Sequence, residues 1–177
     1  MQTYHDYFKG KKVTLMGLGL LGRGLGDAIF LAEHGVQLII TDLRDEAALA
    51  PSLEKLKKYT NITYTLGKHT LEDFRDRDFI LKAAGVPLDS PYIAEAVKHN
   101  IPIEMDASLF AKLMPKGVVL VGVTGTRGKS TTTALIYEIV SAGIMNTELR
   151  IKNGERKVHK GGNLVPEATL PLLEKVN

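Results

Sequence analysis

Two glycine-rich loops hold the residue types that could do chemistry. The more specific one reads Thr124-Gly125-Thr126-Arg127-Gly128-Lys129-Ser130-Thr131-Thr132-Thr133. It follows the apolar residues 118–123 and leads into a stretch carrying Leu135, Ile136, Ile139 and Val140 at helical spacing. A strand, a glycine turn, a Lys-Ser pair and a helix make a phosphate-binding P-loop. Gly125 and Gly128 free the backbone so that successive N–H groups converge on phosphate oxygens. Lys129 is placed to reach the β- and γ-phosphates, and the Ser130 hydroxyl suits a ligand position on Mg²⁺. The generic pattern puts a glycine five residues before Gly128, where this chain has Val123. The spacing here is instead G-x-x-G-T-x-G-K-S, beginning at Gly122.

The other loop, Gly17-Leu18-Gly19-Leu20-Leu21-Gly22, fits G-x-G-x-x-G between an expected strand and an expected helix. Asp42 follows Gly22 by 20 residues, at the end of the next expected strand. Glycines let the backbone approach a diphosphate, and the helix N-terminus adds amides and partial positive charge. An acidic residue at the second strand end could accept hydrogen bonds from a ribose or a base. Three readings stay open: a tight turn with no ligand, an NAD site, and a site for another nucleotide. Nothing else in the chain supplies hydride chemistry.

The elements that must position these loops alternate. Apolar runs at 13–16, 36–41, 62–66, 79–82 and 101–105 read as strands. Helices are expected at 22–34, where Gly35 supplies the stop, and at 46–59, with Leu49, Leu53 and Leu56 on one face. Ser90-Pro91 opens a helix to about residue 99, and residues 107–114 form a short one. Pro115-Lys116-Gly117 punctuates the chain and is the expected domain boundary. Residues 118–123 then read as a buried strand and 130–142 as a helix. Near-continuous apolar strands between helices predict an α/β fold with a parallel sheet covered on both faces. Residues 1–115 suffice for one such domain. Residues 116–177 are too few for a second.

Composition narrows the classes. The chain has 177 residues, a formal net charge of +3, 44% hydrophobic and 24% charged residues, which fits an ordinary globular domain and not a disordered or polybasic one. With no cysteine, disulfides, zinc ribbons and thiol nucleophiles are excluded and a cytoplasmic location is permitted. The polar N-terminus lacks a signal-peptide core, and no apolar run reaches the roughly 20 residues of a membrane span. Without Trp, and with 5 Phe and 6 Tyr, a stacking platform for nucleic acid is not expected. His5, His34, His69, His99 and His159 show no metal-ligand spacing and read as surface residues.

The variant P-loop with its Thr-rich tail resembles the ATP loop of the Mur ligases and the related folylpolyglutamate synthetases. Together with GLGLLG and Asp42-Leu43-Arg44, it is similar to the Mur ligase branch that adds D-glutamate. The L-alanine-adding branch, whose first loop differs and whose P-loop carries His, is the second choice. The resemblance spans roughly residues 10–170. It implies a Rossmann-like domain (1–115) that holds the UDP part of the substrate, followed by the start of the central P-loop ATPase domain (116–177). Gly19, Leu20, Leu21, Asp42, Leu43, Arg44 and Asn163 would then bind the UDP-substrate. Gly125, Thr126, Arg127, Gly128, Lys129, Ser130 and Thr131 would bind ATP. Ser130 would hold Mg²⁺, and Lys129 would be catalytic.

The implied activity is ATP-dependent amide formation between UDP-N-acetylmuramoyl-L-alanine and D-glutamate, with no nucleic-acid or membrane partner. Four departures stand out: Leu21 where a hydroxyl residue is common, Ala83-Ala84-Gly85 for Ser-Pro-Gly, Arg127 for Asn, and Val165 where Gly completes a Gly-Asn motif. Residues 147–159 read as a small surface insertion with a hairpin turn at Asn153-Gly154. The family's acidic metal ligand, modified lysine and amino-acid domain have no counterparts here. The chain is therefore expected to be an N-terminal portion, inactive alone and mobile after about Gly143. A non-catalytic nucleotide-binding module is the alternative.

Overall fold

The computed structural model describes residues 4–146, 157–161 and 168–176. Five strands, β1 (Lys12–Met16), β2 (Gln37–Asp42), β3 (Ile62–Leu66), β4 (Phe79–Lys82) and β5 (Ile103–Glu104), form one sheet in the order β3-β2-β1-β4-β5. Every neighbouring pair is parallel. The central strands show why: Val13–Met16 and all of β4 are buried, whereas β3 at the edge is half-exposed. Strands buried on both faces need apolar side chains pointing both ways.

Helices α1 (Tyr4–Phe8), α2 (Arg23–Glu33) and α3 (Glu46–Leu56) precede β4; α4 (Pro91–Lys98) and α5 (Asp106–Leu113) flank β5. One face of the sheet sends Val13, Leu15, Phe79 and Leu81 into the larger core with Phe8, Phe30 and Leu31. The other sends Met16 and Ile80 against Phe74, Ile93 and Ala96. One buried polar side chain on that second face, Thr14, donates its hydroxyl to the Asp73 carbonyl at 2.5 Å. Helix α1 escaped the sequence reading because five residues carry too little periodicity, yet Phe8 is fully buried and edge-on to Phe30.

Two expectations are corrected. Residues 118–123 form no strand, and Val119 is 86% exposed. A strand exists only through its ladder partners, and none of the described strands pairs with this segment. Helix α6 (Lys129–Asn146) does form, but Leu135, Ile139 and Val140 on its apolar stripe are exposed. Conversely, residues 168–176, expected to be mobile, are packed. A 3₁₀ turn (Leu170–Leu172) and α7 (Leu173–Val176) bury Ala168, Leu170, Leu172 and Leu173 against the larger core, on α2 and α5. Each buried leucine contributes roughly 2 kcal/mol. The fit requires Gly26, because a Cβ there would lie 2.7 Å from the Ala168 Cβ.

Beneath this segment lies a charged cluster. Arg23 pairs with Asp106 at 2.7 Å, and Asp27, only 5% exposed, accepts the Leu170 backbone N–H. Burial, and then the neighbouring Asp106, push the Asp27 carboxyl well above its usual range, against the opposing pull of Arg23 and the Leu170 amide. A carboxyl raised on folding stabilises the native state below its unfolded pKa of about 4, and that contribution disappears as pH rises through the raised value. Asp27→Asn, which keeps an acceptor for Leu170, is therefore expected to raise the Tm by a few degrees at pH 7. The gain should shrink toward zero below about pH 4, which thermal melts across that range would check.

Candidate nucleotide-binding site

The crossover from β1 runs to β2 on one side, and that from β3 returns to β4 on the other. The order reverses between β1 and β4, and α/β sheets bind ligands outside the strand ends at such a point. Both loops at this point are tightly fixed. Gly17, Gly19 and Gly22 all have left-handed backbones, with φ of 97°, 66° and 87°. The Gly17 N–H donates to the Thr41 carbonyl at 2.8 Å, and Gly22 caps α2. Gly24, outside the fingerprint, matters equally: a Cβ there would fall 2.2 Å from the Leu18 carbonyl oxygen.

Asp42 does not present its carboxylate to solvent as the sequence suggested. It is 3% exposed. Its Oδ2 accepts the Gly19 N–H at 2.9 Å, while Oδ1 accepts the Arg44 N–H at 2.9 Å and faces the Arg44 guanidinium at 3.4 Å. The carboxylate thus ties the glycine loop to the end of β2. Around this tie, Leu20, Leu21 and Leu43 are exposed, forming an apolar rim.

Beside the rim lies an open cleft of about 460 Å³, lined by residues that include Met16, Leu43, His69, Val86 and Tyr92. The loop after β4 forms its far wall. Lys82, 8% exposed, shapes that loop by donating to the Val86 carbonyl at 2.9 Å. Ala83 and Ala84 therefore leave the loop's course to its backbone and to Lys82. Ser90 stands at the helix N-cap as expected, with Pro91 at the first turn, but makes no side-chain cap.

The second glycine loop is open to solvent. Gly125 and Gly128 have φ of 141° and 78°, and Lys129 starts α6. Its ammonium donates to the Gly125 carbonyl and, at 3.5 Å, to that of Thr126. Thr126, Arg127, Ser130 and Thr131 are exposed. Asn163, Val165 and the Asn153-Gly154 turn lie outside the described residues. Among the described residues no group of three or more acidic or histidine side chains could hold a metal. Nor is any described helix long and apolar enough to cross a membrane.

The histidines are not uniformly on the surface. The His34 side chain is 5% exposed and lies 4.1 Å from the Phe30 ring centre; its Nδ1 is 2.7 Å from the Phe30 carbonyl. His69 lines the cleft. Sequence reasoning missed His69, Lys82, Gly24 and the 168–176 segment. A second glycine two residues past the fingerprint was the one signal that could have flagged Gly24.

Fold and site together define an α/β domain of Rossmann-like topology, with a second glycine-rich loop and helix following it. Residues 11–104, just over half the chain, match the family model of the Mur ligase MurD-like N-terminal domain, and the chain belongs to that family. It is 41% identical over 145 residues to the UDP-N-acetylmuramoylalanine–D-glutamate ligase of Treponema pallidum, covering 81% of this chain and 27% of that protein. The ligase of the same name from Borreliella afzelii is 36% identical, covering 90% of this chain and 32% of its own length. Among solved structures, the UDP-N-acetylmuramate–alanine ligase MurC of Thermotoga maritima is 26% identical with a TM-score of 0.48, over 74% of this chain and 29% of that one. The chain thus spans about a third or less of the curated relatives it matches.

Proposed function

We propose that this chain is the UDP-substrate domain and the ATP loop of a ligase joining D-glutamate to UDP-N-acetylmuramoyl-L-alanine in the cytoplasm, the first built on residues 1–115 with residues 168–176 packed back onto it, the second following residue 116. The observation that carries this reading is the preformed site between β1 and β4. Three left-handed glycines shape its loop, which Asp42 ties down through the Gly19 N–H beside an apolar rim. The inward carboxylate argues against NAD, whose ribose hydroxyls would need a free acceptor there. It supports a site where the backbone from Gly19 to Leu21 faces a diphosphate and Leu43 and Arg44 flank a base; the family resemblance alone adds Asn163 as a contact of the muramoyl part.

In the second loop, the amides from Gly125 to Thr131 would hold ATP phosphates and Lys129 would neutralise charge at the transferred group. The solvent-facing Ser130, in the first turn of α6, fits one oxygen ligand of a Mg²⁺ ion whose other ligands are phosphates and water. Bound there, Mg²⁺ would shield the phosphate charge. These residues bind and orient. Arg127 adds a further positive charge beside the triphosphate. The reaction so served transfers the γ-phosphoryl group of ATP to the substrate carboxylate, releasing ADP, and the D-glutamate amine then attacks the acyl phosphate, forming the amide and expelling inorganic phosphate. Calorimetric titration with UDP-N-acetylmuramoyl-L-alanine, UDP and NADH tests the assignment. The two uridine compounds are expected to bind and NADH to bind more weakly; NADH binding tighter than UDP would overturn it.

A further inference from the structure

We propose that His69 is a specificity-determining residue of the cleft, donating its Nε2–H to the C4 carbonyl oxygen of a uracil base; this rests on reading the site as one for a uridine nucleotide. The ring is fixed from three sides. The Thr41 hydroxyl, on a fully buried residue of β2, lies 2.7 Å from Nδ1. Tyr92 meets the ring nearly edge-on at 5.0 Å between centres, and Phe74 does so at 6.3 Å. Thr41 is also the residue whose carbonyl receives the Gly17 N–H, so the ring is referenced to the same strand end as the glycine loop.

The 2.7 Å Thr41–His69 contact fits a hydrogen bond in either direction, and we assign the hydroxyl as its donor. The longer 3.3 Å separation from the Lys68 carbonyl makes the imidazole the better partner for that hydroxyl. With Nδ1 accepting, a neutral ring carries its proton on Nε2. Burial lowers the His69 pKa, outweighing Asp42 and Asp73, and so favours the neutral ring. Leu43, Val86 and Tyr92 give the cleft apolar surface for the faces of a flat base, and its volume suits a small ligand. A fixed N–H donor distinguishes pyrimidines: uracil offers a carbonyl at both C2 and C4, whereas cytosine replaces the second with an amino group. Two donors facing each other would leave both unsatisfied.

The test is the ratio of UDP to CDP affinity in the whole chain, for wild type, His69→Ala, His69→Gln and Thr41→Val. Wild type is expected to prefer UDP by at least about tenfold. His69→Ala should bring the ratio close to one, and His69→Gln, which retains an N–H donor, should restore part of it. Thr41→Val leaves the ring in place but frees its tautomer, and should also lower the ratio. A purely structural role would weaken both nucleotides alike, so an unchanged ratio in a folded His69→Ala overturns the role of His69 while leaving the uridine site standing. Failure of the wild-type chain to bind UDP at all overturns both.

Discussion

Gly24→Ala is expected to destabilise the protein by about 3 kcal/mol, toward the upper end of overpacking effects. The new Cβ would sit 2.2 Å from the Leu18 carbonyl oxygen and 2.8 Å from that of Gly17. Both are backbone atoms, so no rotamer change relieves the clash. Relief needs either α2 to lift from the sheet, stripping Ala28 and Leu31 from the core, or the glycine loop to move away from Asp42. Against a typical total of 5–15 kcal/mol the loss is a large fraction. Urea unfolding should show a clearly lower midpoint, and UDP affinity should fall with it. Gly143→Ala is the contrast: that helical glycine has open space around its Cβ, so the substitution should be neutral or stabilising by up to about 1 kcal/mol. A wild-type midpoint for Gly24→Ala would remove the close-approach explanation.

Lys129→Ala is expected to lower ATP affinity by roughly tenfold to a hundredfold, the equivalent of one charged hydrogen bond. UDP affinity should not move. The ammonium is already held over its own loop by the Gly125 and Thr126 carbonyls, which phosphate oxygens would replace as partners. Competition against a fluorescent ATP analogue measures the loss. Equal ATP affinity in wild type and variant would contradict a P-loop role for Lys129. Because β1 and β4 lie in a different part of the chain from α6, the contrast between the two nucleotides also tests whether the loops bind independently.

The sheet was legible in the sequence because its strands are buried on both faces and its helices carry clear stops. Strand β2 ends at Asp42 and β5 shrinks to two residues, small differences at the least determinate places. Local pattern failed where a partner decides the outcome. Residues 118–123 are as apolar as β4, but apolar composition cannot supply a neighbouring ladder. The segment around Leu170 looked like a remainder, since its fit depends on Gly26 and Asp27 more than 140 positions earlier. The glycine fingerprint was readable as a tight turn between β1 and α2. That Asp42 faces inward was not, because the competing donors, the Gly19 and Arg44 amides, are brought to it only by the fold. His69 carried no motif, and its place in the cleft depends on Thr41 and Tyr92.

The packing of residues 168–176 changes what counts as the unit that folds. Among the described residues the first core runs to Met114 and takes in Leu170, Leu172 and Leu173 again, so it draws on two separate pieces of sequence, with the second glycine loop and α6 between them. Cutting at residue 115, where composition suggested a boundary, would bare the α2 surface around Gly26 and discard Leu170, Leu172 and Leu173. The tether keeps the returning piece at high local concentration, so its docking is paid for only by closing a loop. The returning chain rests on α2 at Gly26, one turn from Gly22, where the first glycine loop begins the helix, so the docking of residues 168–176 and the course of that loop meet on the same turn of α2.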